Sequence, residues 1–171
     1  MKLKTVKDKF FARLFTRYPW LMRRWARKTE FMESADSPWT PLLKDLKDCR
    51  VALVTTGGVH LKTQPPFNMS DSEGDPTFRE IPSDVDKEDL TITHDYYDHR
   101  DGDADINVIL PLDRLAELAE EGFIGSISAS AFSFMGHIIG EHVTTLINET
   151  SPDVALKLKA DGVDVVLLTP T

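Results

Sequence analysis

The sequence predicts an α/β protein with a Rossmann-like, mostly parallel sheet flanked by helices, preceded by a basic amphipathic helical arm. Two apolar runs, Val51 to Val54 and Val163 to Thr169, lack the polar alternation of a half-exposed strand. Such runs are typical of parallel strands that helices cover on both faces. A helical pattern at Pro111 to Glu121 lies between them. Strands that alternate with helices favour a parallel sheet.

The charge of the chain is unevenly distributed. The net charge is −8, yet residues 1–30 contain ten Lys or Arg against Asp8 and Glu30. We therefore predict a basic arm at 1–33, a linker at 34–48 and an acidic α/β domain at 49–171. No nucleic-acid partner is expected, because phosphate binding needs clustered bases on the domain itself.

The arm has the pattern of one or two amphipathic helices. Its apolar residues recur every three or four positions, and Pro19 predicts the start of a second helix. Residues 1–31 are therefore a candidate for contact with an anionic membrane surface or an acidic partner. Packing on the chain's own acidic body or on a second subunit is the alternative. No run reaches the roughly 18 apolar residues of a membrane span, so we expect a cytoplasmic location, with peripheral contact to the inner face of the membrane left open.

The first apolar run leads into Gly57, Gly58 and His60. Glycines let the backbone approach a ligand closely, and open α/β sheets bind ligands at the carboxyl ends of their strands. A simple tight turn is the alternative. Neither G-x-G-x-x-G nor the P-loop pattern is present, so no dinucleotide or P-loop site is predicted. Cys49, the only cysteine, excludes an internal disulfide and is predicted to be a small core residue.

A second polar cluster follows the strand predicted at Leu90 to His94. It contains Asn107, Asp98 and several other carboxylates, and its spacing does not fit an EF-hand. Three interpretations stay open. The cluster is a solvated acidic loop, a metal site, or part of a substrate pocket in which His94 and Asp98 act as acid, base or hydrogen-bonding groups.

The remaining segments complete the predicted layers. Residues 62–89 are expected to be irregular, and 128–140 either line a pocket or belong to the core. Helices are expected at 111–121, ended by Gly122, and at 141–148. A further helix is expected from Ser151 as its N-cap to Gly162. The last run, 163–169, is predicted to be a buried strand.

Several of these stretches together resemble the selenoprotein B family of glycine, sarcosine, betaine and D-proline reductases, and most of all its D-proline reductase members. The resemblance covers roughly residues 38–171. The stretches that carry it are Val51-Ala-Leu, Gly58-Val-His-Leu61, Phe67-Asn68, His94, Tyr97-Asp98, Asp105-Ile-Asn107, Pro111, Asp113, Leu115, Glu117-Leu118, Glu121-Gly-Phe-Ile124, Phe134-Met-Gly136, Asn148-Glu-Thr150 and Gly162-Val-Asp164.

The resemblance implies a reductase that cleaves the C–N bond of glycine, betaine, sarcosine or D-proline-type substrates. In the family the last strand leads into a selenocysteine or cysteine, so that residue is expected just after Thr171. Selenocysteine is encoded by UGA, which is normally a stop codon. We therefore expect the reading frame to continue beyond Thr171, and we expect the 171-residue chain to be inactive. The implied mechanism has the selenolate attack the α-carbon after a carbonyl or pyruvoyl group on a partner subunit activates the amine. A neighbouring Cys then releases the selenium as a selenenyl sulfide, which a thioredoxin-like dithiol reduces, and no metal is needed.

By the same resemblance, the candidate substrate-binding residues come from several separate segments. They are Gly57, Gly58, His60, His94, Tyr97, Asp98 and Asn107. One departure affects substrate identity, because Asp95-Tyr96 follows His94 where Gly-Gly is expected. The alternative hypothesis is a non-catalytic α/β domain that binds a small anion or amino acid at Gly57, Gly58 and His60, with the arm as its membrane or partner anchor.

Overall fold

A five-stranded, mostly parallel sheet flanked by helices forms the centre of the protein, as predicted. The computed structural model describes residues 2–27 and 39–171. Its helices and strands are α1 (Lys2–Arg17), α2 (Pro19–Ala26), β1 (Arg50–Thr55), β2 (Val59–Leu61), β3 (Phe78–Pro82), β4 (Leu90–Ile92), α3 (Arg100–Ala104), α4 (Leu112–Glu120), β5 (Ser126–Ile127), β6 (Ser130–Phe134), α5 (His142–Thr145), α6 (Ser151–Ala160) and β7 (Val165–Thr169).

Strand β1 is the central strand of the sheet. On one side it pairs in parallel with β7 over its whole length, from Val51 to Thr55. On the other side its first half pairs with β5 and its second half with β6, again in parallel. Strand β3 adds to β6 in the antiparallel direction, while β2 and β4 form a separate antiparallel ribbon.

The two faces of β1 contribute to two apolar clusters. Val51 and Leu53 pack with Leu112 and Leu115 of α4. Ala52 packs with Phe132 and with Leu158 of α6. Because successive strand residues point to opposite faces, both faces must be apolar, which explains the unbroken run in the sequence.

The prediction of an irregular segment at 62–89 was wrong for residues 78–82. These residues form β3 and pair with β6. A hydrogen-bonded turn leads into the strand, because the buried Asp75 carboxylate accepts from the backbone N–H groups of Asn68, at 2.8 Å, and Thr77, at 2.9 Å. The Arg79 guanidinium lies 4.3 Å from the centre of the Phe67 ring. The pairing with β6 and the contact between Arg79 and Phe67 join separate segments of the chain, so the local sequence pattern did not show them.

Two further predictions need correction. Strand β7 exists, but it lies at the edge of the sheet, and Leu167 and Leu168 are 41% and 67% exposed. Within residues 2–27 and 39–171, only β1 pairs with it. Ser151 is not an N-cap, because its backbone is helical and a π-helical turn, Leu146–Thr150, joins α5 to α6.

The arm contains two helices, and the second begins at Pro19 as predicted. Phe10 and Trp20 are largely exposed, at 62% and 59%. None of the helices in the described part of the chain is both long and apolar enough to cross a membrane. The predicted boundary between arm and linker, at residues 33 and 34, lies outside the described residues.

Candidate functional site

The carboxyl ends of β1, β6 and β7 meet around Thr56. The Thr56 N–H donates to the Thr169 carbonyl at 3.2 Å, and the Gly136 N–H donates to the Thr56 carbonyl at 2.9 Å. The Thr171 N–H donates to the Thr56 hydroxyl at 3.0 Å. Sequence reasoning did not select Thr56, although its place directly after an apolar strand was the available signal.

The Gly57–Gly58 loop follows Thr56 and is fixed on two sides. The Gly58 N–H donates to the Phe134 carbonyl at 2.8 Å, and the Thr93 N–H donates to the Gly58 carbonyl at 2.9 Å. Gly58 has a φ of +70°, and a Cβ atom there would lie 2.5 Å from the Thr93 carbonyl oxygen. Only glycine allows this close approach, which brings Thr93 and His94 to the carboxyl edge of the sheet.

His94 is buried at this edge, with 4% of its surface exposed. Its Nδ1 accepts a hydrogen bond from the Tyr96 N–H at 3.1 Å. Its Nε2 is buried and has no hydrogen-bond partner among the described residues. Burial, helped by the nearby His137 and His99, lowers the pKa of His94 to about 4, so its imidazole is neutral at physiological pH.

Aromatic rings surround His94. The Tyr97 ring meets it edge-on at a centroid distance of 4.6 Å, and the Tyr97 hydroxyl donates to the Gly57 carbonyl at 3.0 Å. Burial raises the pKa of the Tyr97 phenol, which therefore stays protonated. Tyr96 stacks on His137 at 3.8 Å. We call Thr56, Gly57, Gly58, His94 and Tyr97 the carboxyl-edge site.

Segment 128–140 belongs to the core at three of its positions, as one of its two predicted roles requires. Phe132, Phe134 and Met135 are core residues, with at most 7% of their surface exposed. His137, just after them, contributes the ring that stacks on Tyr96. The alternation of small and aromatic residues in the sequence did not separate these two roles, because both depend on what lies across the sheet.

Asp98 adjoins the site as one half of a bidentate ion pair. Arg100 Nε lies 2.8 Å from Asp98 Oδ1, and Arg100 Nη2 lies 2.6 Å from Asp98 Oδ2. Arg100 lowers the pKa of the Asp98 carboxyl, and Arg13 of α1 adds a smaller contribution. Asp98 is therefore a carboxylate.

His60 and Asn107 are held by contacts of their own. The two ring nitrogens of His60 lie 2.8 Å from the Leu61 carbonyl and 2.8 Å from the Thr93 hydroxyl. The Asn107 side-chain carbonyl accepts from the Asp113 N–H at 3.2 Å, at the start of α4. Of the seven residues selected from the sequence, the structure thus brings Gly57, Gly58, His94 and Tyr97 into direct contact, with His60 behind Thr93.

Other candidate centres are accounted for separately. The described residues contain no group of three or more His, Cys, Asp or Glu side chains arranged to hold a metal ion. A cavity of about 390 Å³ lies along β4 and α3, and Lys62, Ile92 and Asp103 are among the residues that line it. Cys49 is fully buried and burial raises its thiol pKa, which confirms it as a core residue.

Comparison with known proteins identifies the family. The family model described as glycine/sarcosine/betaine reductase selenoprotein B matches residues 25–171. The chain belongs to this family. It is 44% identical over 131 residues to D-proline reductase subunit gamma of Acetoanaerobium sticklandii, a match that covers 77% of this chain and 52% of that protein.

Two further relatives show the same pattern. Glycine reductase complex component B subunit gamma of Carboxydothermus hydrogenoformans is 32% identical over 78% of this chain and 31% of its own length. Betaine reductase complex component B subunit beta of Peptoclostridium acidaminophilum is 33% identical over 75% of this chain and 29% of its own length. The chain thus spans about half, or less, of the curated relatives it matches. No solved structure matches it.

Proposed function

We propose that this chain is part of a reductase subunit that reductively cleaves the C–N bond of a glycine-, betaine-, sarcosine- or D-proline-type substrate. Family membership over residues 25–171 supports this, as do relatives named for D-proline, glycine and betaine reduction. Because the chain spans about half of D-proline reductase subunit gamma, the proposal assigns the redox residue, a selenocysteine or cysteine, to sequence beyond Thr171.

The contact between Thr171 and Thr56 carries this proposal. The Thr171 backbone N–H and the Thr56 hydroxyl are hydrogen-bonded at 3.0 Å, and Gly57 and Gly58 come directly after Thr56. A residue joined to Thr171 would therefore start beside the glycine loop, at the edge where open α/β sheets bind ligands. That residue would supply the selenolate or thiolate that attacks the substrate α-carbon.

The residues of this chain would bind and orient the substrate. The glycine loop offers backbone that a small molecule can approach closely, and the neutral Tyr97 hydroxyl fixes the Gly57 carbonyl. His94 contributes a neutral imidazole. His60 acts through Thr93, to which it is hydrogen-bonded. Asn107 would support the site indirectly, through the hydrogen bond that it accepts at the start of α4.

The proposed partners follow from the kind of assembly to which the relatives belong. Two relatives are named as components of reductase complexes. We propose a partner subunit that bears a carbonyl or pyruvoyl group to activate the amine, and a thioredoxin-like protein as reductant. We further propose a cytoplasmic location in which residues 1–31 contact the membrane surface or another subunit.

Translation of the gene past the Thr171 codon, followed by assay of the complete product, tests the function. The complete protein is combined with the carbonyl-bearing subunits, a dithiol and D-proline, and 5-aminopentanoate is measured as the product of C–N cleavage. We expect this product with the intact redox residue and none when Ser replaces it. Absence of any selenocysteine or cysteine after Thr171, with D-proline bound but not cleaved, would instead establish the small-ligand-binding alternative.

A further inference from the structure

We infer that His94 is fixed as the neutral, Nε2-protonated tautomer and donates a hydrogen bond from Nε2 to a carboxylate oxygen of the substrate. The choice of ligand rests on the proposed function, whereas the tautomer follows from the contacts of the ring. His94 is thereby a binding and positioning residue. A general base at Nε2 would require a lone pair there, and this tautomer has none.

The tautomer is set by the backbone of the same turn. The Tyr96 N–H points at His94 Nδ1 from 3.1 Å. Because a backbone N–H can only donate, Nδ1 must accept and therefore carries no proton. A neutral imidazole has one ring proton, so that proton is on Nε2.

The neutral state is set by the surroundings of the ring. His94 is 4% exposed, and burial is the main cause that lowers its pKa to about 4. The groups that face it from the other segments add to this. His137, from the segment after β6, and His99, at the start of α3, both disfavour a second positive charge.

The protein provides no acceptor for the Nε2 proton. Nε2 is buried, and no hydrogen-bond partner for it exists among the described residues. The Tyr97 hydroxyl, on the ring that packs against His94, hydrogen-bonds to the Gly57 carbonyl instead. A buried donor without an acceptor is unfavourable, so such groups in native structures call for a specific explanation. A bound ligand oxygen provides one.

The ring cannot easily turn to find another acceptor. Tyr97 packs edge-on against it at 4.6 Å, and the backbone of Thr93 and His94 lies against Gly58. Tyr96 meets the His94 ring at 5.9 Å and stacks on His137 at 3.8 Å.

A carboxylate is the acceptor that fits this donor. Glycine, sarcosine, betaine and D-proline differ at the amine but share a carboxylate beside the α-carbon. A neutral donor binds that carboxylate with a charge-assisted hydrogen bond. It does so without a buried positive charge, which leaves recognition of the cationic amine to other groups. His94 would thus hold the part of the substrate that the family members have in common.

Nitrogen-15 NMR of the histidine side chains tests the tautomer without any ligand. In the full chain we expect the His94 signals of an Nε2-protonated neutral ring, unchanged from about pH 8 down to pH 5, since this range lies above its pKa of about 4. His94→Gln identifies the signals by their loss. A protonated Nδ1, or a His94 that becomes cationic near pH 6.5, would overturn the inference.

Binding measurements test the ligand. D-proline is titrated into the full chain by calorimetry, with pyrrolidine as the matched probe that lacks the carboxylate. We expect D-proline, but not pyrrolidine, to bind and to shift the His94 Nε2 resonance. His94→Phe should weaken D-proline binding about tenfold to a hundredfold, the range for a hydrogen bond to a charged group. His94→Gln retains a donor near the Nε2 position and should recover most of this loss.

The two proposals fail in different ways. If the complete reductase cleaves D-proline but D-proline leaves the Nε2 resonance unmoved, the role of His94 is wrong and the proposed function stands. If the carboxylate binds at His94 but no C–N cleavage occurs in the complete complex, the proposed function is wrong and the His94 assignment stands. His142→Gln, at the half-buried histidine that pairs with Asp71 at 3.1 Å, is the control and should leave D-proline binding unchanged.

Discussion

The Tyr97 hydroxyl donates a hydrogen bond to the Gly57 carbonyl across 3.0 Å, and so ties the turn after β4 to the end of β1. These two residues are forty positions apart in the sequence. Because burial raises the pKa of the phenol, the hydroxyl remains a donor throughout the physiological range. The contact therefore holds together the two chain segments from which the carboxyl-edge site is built.

Removal of this hydroxyl should loosen the site. We expect Tyr97→Phe to lower the free energy of unfolding by about 1 kcal/mol, the usual cost of a lost hydrogen bond, because the Gly57 carbonyl loses its partner. Urea denaturation followed by circular dichroism measures the effect. Tyr18→Phe on the arm, where the tyrosine is 45% exposed, is the control and should be neutral. Equal midpoints for the two variants would show that the Tyr97 hydroxyl contributes nothing.

Gly58 and Gly122 form a matched pair for the cost of a side chain in the glycine loop. Both have positive φ, +70° and +75°, but a Cβ at Gly122 would have no neighbour within 4 Å. We expect Gly122→Ala to cost about 1 kcal/mol through backbone strain alone. Gly58→Ala should cost clearly more, because its Cβ would lie 2.5 Å from the Thr93 carbonyl oxygen. Similar unfolding midpoints would contradict the close approach at Gly58.

The buried, neutral His94 makes stability depend on pH. Its pKa is about 4 in the folded chain against 6.5 for an ordinary histidine, so the unfolded state binds the extra proton more readily. Stability is therefore complete above about pH 6.5 and is lost as the pH falls towards 4, by up to about 3 kcal/mol. Unfolding free energies measured at steps between pH 7 and 4 test this.

A variant isolates the contribution of His94 to the pH dependence of the free energy of unfolding. His94→Gln cannot titrate, so it should flatten the loss of stability between pH 6.5 and 4, whereas His142→Gln should keep it. Asp98 and Asp161 have a pKa held below the usual value, mainly by Arg100 and by Ser128. The free energy of unfolding that depends on these two carboxylates is lost only when the pH falls below the ordinary carboxyl range. They therefore do not produce the decrease expected from His94 between pH 6.5 and 4. An unchanged slope in His94→Gln would refute the assignment.

The arm offers a test of surface binding. Trp20 is 59% exposed on α2, beside Arg23 and Arg24 in the last turn of that helix. We expect the chain to sediment with phosphatidylserine-containing vesicles at 0.1 M salt. It should do so less at 0.5 M salt, where electrostatic attraction reaches only about half as far. Trp20→Ala should weaken this binding. Trp39→Ala, at a tryptophan that is 86% exposed outside the arm, should not.

Equal vesicle binding by the two tryptophan variants would remove the membrane role of the arm. The arm would then pack on the chain itself or on another subunit, and the effect of Arg13 on the pKa of Asp98 favours the first. Reversal of charge at Arg13, as Arg13→Glu, should then raise the pKa of Asp98 towards its usual value, which carbon-13 NMR of the aspartate side chains can follow.

The class of fold and the family could both be predicted from the amino-acid sequence. The apolar run at Val51 to Val54 predicted a strand covered on both faces, and β1 is such a strand. Pro19 likewise predicted the start of α2, and Gly122 predicted the end of α4. Both residues act through local backbone geometry.

Contacts between distant segments distinguish the candidate polar residues from one another. His60, His94 and Asn107 looked equivalent in the sequence, yet only His94 has a buried nitrogen without a partner among the described residues. The tertiary structure also placed β3 in the sheet and β7 at its edge. Hydrogen-bond partners and strand neighbours come from residues distant in the chain, so periodicity within a short window cannot reveal them. Burial without a partner, the observation behind the role proposed for His94, is a property of the folded chain alone.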